Sequence, residues 1–208
     1  MHEVEIRDAT AADIGPVRRL RAASWQAAYA GILPPVYLEA MDTEPEEIAR
    51  AVRRFLRNPP DRHLLVAERA GRIVAFASCG PERPTVEHLR TGVLRGEVYA
   101  LYAHPDAWST GAGAPLLGAA LMRLRADGRE QAVLWVLEAN ARARAFYERR
   151  GLRPTGGCTT IRLGGALLPE LEYAAALGTE RVVSRRTGLP VPIPAPVVPA
   201  PAPVRRGA

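Results

Sequence analysis

The sequence predicts an α/β domain: a mixed, mostly antiparallel sheet with helices on both faces. Three observations lead there. Apolar runs follow the order β-α-α-β-β-β-α-β-α-β-β. Two neighbouring pairs of strand-like runs are joined by turns short enough for hairpins. The remaining strands are separated by helix-length segments, which act as crossovers. With 208 residues, 48% of them hydrophobic, the chain suits one such domain and can bury a real core.

The elements follow in order. "VEIRDAT" alternates as a short strand. "AADIGPVRRLRAASWQAAYAGI" reads as a helix capped by Asp13 or Thr10, with Ile14, Val17, Leu20 and Ala27 or Ala28 roughly on one face. "ILPPVYLEAM" holds a Pro-Pro turn, and "EPEEIARAVRRFLRN" is a second helix ended by Pro59 and Pro60. "HLLVAERAGRIVAFASCG" is a hairpin turning at Ala70-Gly71, and "PERPTVEHLRTGVLRG" is a loop. "GEVYALYAHP" is a strand stopped by Pro105. After a glycine turn, "PLLGAALMRLRADG" is a helix with Gly128 near its C-cap. "QAVLWVLEA" is a buried-type strand, and "NARARAFYERRGL" a helix capped by Asn140 and ended by Gly151. "CTTIRLGG" and "LPELEYAAAL" close the domain as a hairpin. From Gly178 the character changes: "GLPVPIPAPVVPAPAPVRRGA" holds seven of the 19 prolines and predicts an extended tail over 178–208, outside a domain over 1–177.

Composition excludes several classes. No apolar run reaches the ~18 residues of a membrane span, and the polar start "MHEVEIRDAT" does not read as a signal peptide, so a cytoplasmic protein off the membrane is expected. Cys79 and Cys158 have no metal or redox spacing, and His2, His63, His88 and His104 are scattered, so no metal is expected. The net charge of +6 is concentrated in the tail. Residues 178–208 hold five arginines against Glu180, which leaves about +2 for the other 177 residues. That is no footprint of a folded nucleic-acid binder. All 28 basic residues are Arg, a bias of composition rather than a function.

Chemistry concentrates in "HPDAWSTGAGAPLL", where Gly111 and Gly113 separate a strand from a helix. A helix N-terminus offers unpaired N–H groups and a positive dipole end to a phosphate, although a plain strand-to-helix turn has the same look. Leu116 stands where a dinucleotide-binding fingerprint wants a third glycine, and a P-loop needs a lysine the chain lacks.

Taken with the later helix, the glycine turn resembles the GCN5-related N-acetyltransferase (GNAT) family. Gly111 and Gly113 match its Q/R-x-x-G-x-G/A loop. Asn140, Ala143, Phe146, Tyr147, Glu148, Gly151 and Leu152 match its N-x-x-A-x-x-F-Y-E-x-x-G-F/L element, the most specific part of the match. "SWQAAYAGILP" is similar to the opening helix of many bacterial members. The resemblance spans about residues 4–175.

It implies the GNAT fold of about seven strands, acetyl-CoA as cosubstrate, and transfer of its acetyl group directly to a primary amine within a ternary complex. The acceptor would be a small molecule or a protein or peptide amine; a homodimer is left open. The pyrophosphate would rest on backbone N–H groups of Ser109, Thr110, Gly111, Ala112, Gly113 and Ala114, with the Thr110 hydroxyl, because Trp108 replaces the basic residue of the loop. Arg142 or Arg144 would add charge from the neighbouring helix. Leu101, Tyr102 and Ala103 would present backbone N–H groups to the pantetheine and the oxyanion. Asn140 would cap its helix and also bind the pantetheine arm. Tyr147 matches the family's general acid, a phenol of ordinary pKa ~10 that can protonate the departing sulfur. Glu97, at the start of the preceding strand, matches the carboxylate that some members use as base. Trp25 and Tyr29, four apart on one helix, either pack on the sheet or wall the acceptor site. The two cysteines read as core residues, and the rival function is a CoA-binding module without catalysis.

Overall fold

The computed structural model describes residues 3–41, 44–83 and 92–178. The expected tail beyond Gly178, and residues 84–91 of the expected loop, lie outside the described residues.

Strand β1 (Glu5–Asp8) leads through a 3₁₀ turn into α1 (Ile14–Ala28), followed by α2 (Pro35–Glu39) and α3 (Pro45–Phe55). The hairpin β2 (His63–Arg69) and β3 (Arg72–Pro81) precedes β4 (Arg95–Ala103). Then come α4 (Gly113–Ala126), β5 (Gln131–Leu137), α5 (Ala141–Arg149), β6 (Arg153–Leu163) and β7 (Ala166–Ala176). The seven strands form one sheet in the order β1-β2-β3-β4-β5-β7-β6. Every pairing is antiparallel except β4 with β5.

The predicted order of strands along the chain holds, but the Pro-Pro segment adds a helix and several boundaries shift, among them the end of the helix expected to reach Pro59, which stops at Phe55. The first helix ends at Ala28 instead of running to Ile32, because Gly31 takes φ +78°. The Pro-Pro segment is a helix start: Pro34 sits at its N-cap and Pro35 in its first turn, where a missing N–H costs nothing. The strand β6 begins at Arg153, five residues before Cys158, across an irregular register between Pro154 and Cys158.

Helices cover both faces. On one, α4 buries Leu116, Leu117, Ala120 and Leu124 against Leu65, Ala77, Cys79 and Val98, with Tyr147 and Tyr173 in the same core. On the other, α1 sets Val17 and Leu20 on Val66 and Phe76, while Trp25 and Tyr29 join Leu33, Leu38 and Leu137.

Asp13 ties β1 to the start of α1. Its carboxylate accepts from Arg7 at 2.8 Å and from the Thr10 N–H and hydroxyl at 2.7 and 2.9 Å. The Arg7 guanidinium, also bonded to Glu68, holds this carboxyl well below the usual carboxylate range. A lowered folded-state pKa stabilises above the unfolded value of ~3.9 and loses that contribution as pH falls towards the folded one. Asp13→Ala should therefore cost about 2 kcal/mol at neutral pH, the scale of a lost cap and a charged hydrogen bond. In urea melts the gap from the parent protein should close below pH 4.

Candidate active site

The site opens where the one parallel pairing fails. β4 and β5 pair only as far as Glu97 and Val133. Beyond them β4 follows β3 to Ala103 while β5 follows β7 to Leu137, so the two strands part like a V. Tyr99 is the extra residue of a bulge, standing between the Val98–Cys79 and Ala100–Ser78 pairs. A bulge adds twist to its strand and so turns β4 away from its neighbour. The edge of β4 from Val98 to Ala103 is left without a strand partner on the β5 side. A cavity of about 920 Å³ fills the V and runs from the glycine turn to the face under α1.

At one end lies the turn itself. Gly111 takes φ +94°, and among the described residues nothing but its chain neighbours lies within 4 Å of where its Cβ would be. The N–H groups of the first turn of α4, which starts at Gly113, have no intrahelical partners. Gly113 lets the ring of Phe146 lie 3.4 Å from its missing Cβ, which brings α5 against the turn. This open backbone at a helix N-terminus fits a phosphate. Thr110 does not belong to it: its hydroxyl and N–H both donate to the Ala107 carbonyl, and Arg69 donates to its hydroxyl and carbonyl, each at 3.0 Å. Thr110 locks the turn from behind, while Ser109, Gly111, Ala112, Gly113 and Ala114 line the cavity.

Trp108 fills the position where a basic side chain was expected, and tertiary structure brings one back. The Arg142 guanidinium stacks on the Trp108 ring, 3.3 Å from its centroid, and lines the cavity. Burial lowers its pKa, and among the described residues no carboxylate lies within ion-pair distance of it. Arg144, the alternative, instead donates to the Tyr173 hydroxyl and the Glu138 carbonyl.

In the middle, Leu101, Tyr102 and Ala103 line the V from β4, and Asn140 and Tyr147 from α5. Asn140 caps α5, its Oδ1 accepting from the Ala143 N–H at 3.1 Å. Tyr147 is 8% exposed. Its burial, with the neighbouring Tyr102, pushes the phenol above its ordinary pKa, so it stays protonated at neutral pH. Among the described residues no hydrogen bond claims its hydroxyl.

The far end lies under α1. Trp25 and Tyr29 meet edge to face at 5.1 Å, both buried, and both line the cavity. Packing on the sheet and walling the site are thus one arrangement. Glu97 is buried, and Arg83 occupies both its oxygens. The Arg83 N–H donates to Oε2 at 3.0 Å and its Nε to Oε1 at 2.9 Å, with a further bond from Nη2. Glu97 does not line the cavity; Arg83 does.

Glu170 of β7 also lines it, a residue that sequence reading passed over. In "LPELEY" the alternation assigns Leu171 and Tyr173 to the core, and Glu170 to what reads as a solvent face. Nothing local tells that α1 and α2 roof that face. Cys79 is in the core, its thiol pushed up to about 12 by burial, which makes it a poor nucleophile. Cys158, expected in the core, is exposed on β6. Among the described residues no cluster of His, Cys, Asp or Glu could hold a metal, and no helix is long and apolar enough to cross a membrane.

The model of the acetyltransferase (GNAT) family matches residues 22–152, and the chain belongs to that family. The chain is 24% identical over 171 residues to the probable N-acetyltransferase Rv2775 of Mycobacterium tuberculosis, covering 82% of this chain and 92% of that one. It is 29% identical over 138 residues to the uncharacterized N-acetyltransferase YuaI of Bacillus subtilis, covering 66% and 73%. In fold it resembles yncA, a putative acetyltransferase of Salmonella typhimurium solved with acetyl-CoA. The TM-score is 0.62 at 19% identity, over 87% of this chain and 98% of that one. The likeness to paiA N-acetyltransferase from Thermoplasma acidophilum, solved with coenzyme A, has a TM-score of 0.57 at 20% identity, over 82% and 98%.

Proposed function

We propose that the protein transfers the acetyl group of acetyl-CoA to a primary amine, both substrates being bound at once on opposite sides of the parted strands. One observation carries this reading: a single cavity is lined by the open glycine turn, the unpaired edge of β4, Tyr147 with its unbonded hydroxyl, and the aromatic pair Trp25 and Tyr29 at the α1 end. A module that only stored the cofactor would not need its cavity to continue past Tyr147 to that aromatic pair.

The backbone from Gly111 to Ala114 holds the pyrophosphate, with Arg142 adding the charge that Trp108 lacks. The edge of β4 from Leu101 to Ala103 takes the pantetheine arm as an added strand and turns N–H groups to the oxygen that gains charge. The Asn140 side chain, beside the same arm, serves as cap and ligand. Tyr147 gives its proton to the sulfur as the carbon–sulfur bond breaks. The acceptor enters past Trp25 and Tyr29 as a small amine or a peptide amine.

The test is a thiol-release assay with acetyl-CoA across amines, amino acids and peptide N-termini. Turnover with at least one acceptor class is expected, together with a mass gain of one acetyl on the acceptor. Saturable coenzyme A binding without turnover on any of them would make the protein a cofactor-binding module instead.

A further inference from the structure

We propose that Glu170, rather than Glu97, takes the proton released by the acceptor amine, and that the Arg83–Glu97 pair is a positioning element of the acceptor wall. The inference rests on the acetyltransferase reading above.

Strand parity places Glu170 on the acceptor side of the sheet. Glu170 lies opposite Leu137 in the β5–β7 ladder, and Glu172 opposite Trp135. Leu137 and Leu168 belong to the core under α1, together with Trp25, Tyr29 and Tyr102. Glu170 therefore shares their face of the sheet, the acceptor side, whereas Leu171 and Tyr173 face the core on the other side. It stands at the end of β5 that has swung clear of β4, so its carboxylate opens into the cavity.

The two glutamates of this face have opposite employment. Glu97 is 1% exposed and receives hydrogen bonds from Arg83 on both oxygens, which leaves no lone pair directed at a substrate. Glu170 is half-buried, and among the described residues it makes no hydrogen bond or ion pair through its side chain. Its strand is held firmly: the buried Arg95 of β4 bonds Glu172, two residues on, and Glu82 at 3.2 Å. Two carboxylates in one site, one clamped by a guanidinium and one open, is how acid–base roles become divided.

The charged and titratable groups acting on Glu170 come from the surrounding elements. After β3 stands Arg83, on β4 stand Glu97 and Tyr102, while β5 and β6 turn Trp135, Leu137, Ile161 and Leu163 into the cavity. Burial raises the Glu170 pKa, Glu97 raises it further, and Arg83 opposes both, leaving it above the ordinary carboxylate value. A base is most effective when its pKa approaches the working pH.

In the step itself the amine nitrogen forms a bond to the thioester carbonyl carbon, and the carbon–sulfur bond breaks. The nitrogen's proton goes to a Glu170 oxygen, and the sulfur takes the Tyr147 proton. Return of the Glu170 proton through solvent to the Tyr147 oxygen resets both groups. No oxidant or further reactant is needed.

The test compares the parent protein, Glu170→Gln and Glu97→Gln in thiol-release assays across pH, with coenzyme A affinity measured by calorimetry. We expect E170Q to lose ~10²–10³-fold in kcat/KM, the scale of a lost general base. Its melting temperature and coenzyme A affinity should match the parent's. The acid limb of the parent profile should lie above the ~4.3 of an ordinary glutamate and vanish in E170Q. E97Q should keep that limb. An active parent with E170Q at parental rates, or with the limb lost in E97Q alone, overturns this assignment and leaves the acetyltransferase reading standing. A parent that turns over no amine overturns both.

Discussion

Replacing Tyr147 with Phe should lower kcat by ~10²-fold or more, equivalent to about 2.7 kcal/mol of transition-state stabilisation. Acetyl-CoA binding should survive. The hydroxyl accepts and donates no hydrogen bond among the described residues, so its removal leaves no buried group unpaired, and the phenyl ring keeps its contact with Phe146, 5.4 Å away. The loss belongs to the step in which sulfur leaves: without a proton donor in a buried site, the departing thiolate carries its charge unaided. The pH dependence has a definite sign. The protonated phenol is the active form, so its contribution is lost as pH rises through its pKa. Burial has moved that pKa above the ordinary value, so the alkaline limb should begin above pH ~10 in the parent and be absent in the variant. A kcat within twofold of the parent's would remove Tyr147 from the chemistry.

Gly111→Val should weaken coenzyme A binding by ~10²-fold or more, again about 2.7 kcal/mol. Two effects act together. At φ +94° a β-branched residue is strained, so the turn must give up its shape to accept it. The added side chain also projects into the open space in front of the first N–H groups of α4, where a phosphate has to approach the backbone. Isothermal titration with coenzyme A reads the effect directly, and thermal melts separate loss of binding from loss of fold. A parental dissociation constant would show that the phosphate lies elsewhere.

Most of the fold could be read along the chain because its elements are locally consistent. Turn glycines fall where the backbone takes positive φ, as at Gly71, Gly128 and Gly151. Apolar periodicity then marks each buried face. The glycine turn and the Asn140–Tyr147 helix were legible for a related reason: spacing along one turn or one helix sets which groups lie together. Misreadings cluster where a residue's neighbours are distant in sequence. Thr110 is the local exception: its hydroxyl and N–H, read as phosphate donors, both donate to the Ala107 carbonyl three residues back. Arg142 and Arg144 were equivalent candidates until Tyr173 drew one of them aside.

The acceptor side shows the same division most sharply. Sequence suffices for the order of elements along the chain, the glycine turn, the helix that carries Tyr147 and the family, since each is signalled by residues a few positions apart. The division of labour between Glu97 and Glu170, 73 positions apart, depends on the parting of β4 from β5 and on Arg83 closing over one carboxylate alone. A strand's alternation says which residues share a face, but not what covers that face. Only the packing of α1 and α2 over β7 turned a residue that reads as solvent-facing into a wall of the site.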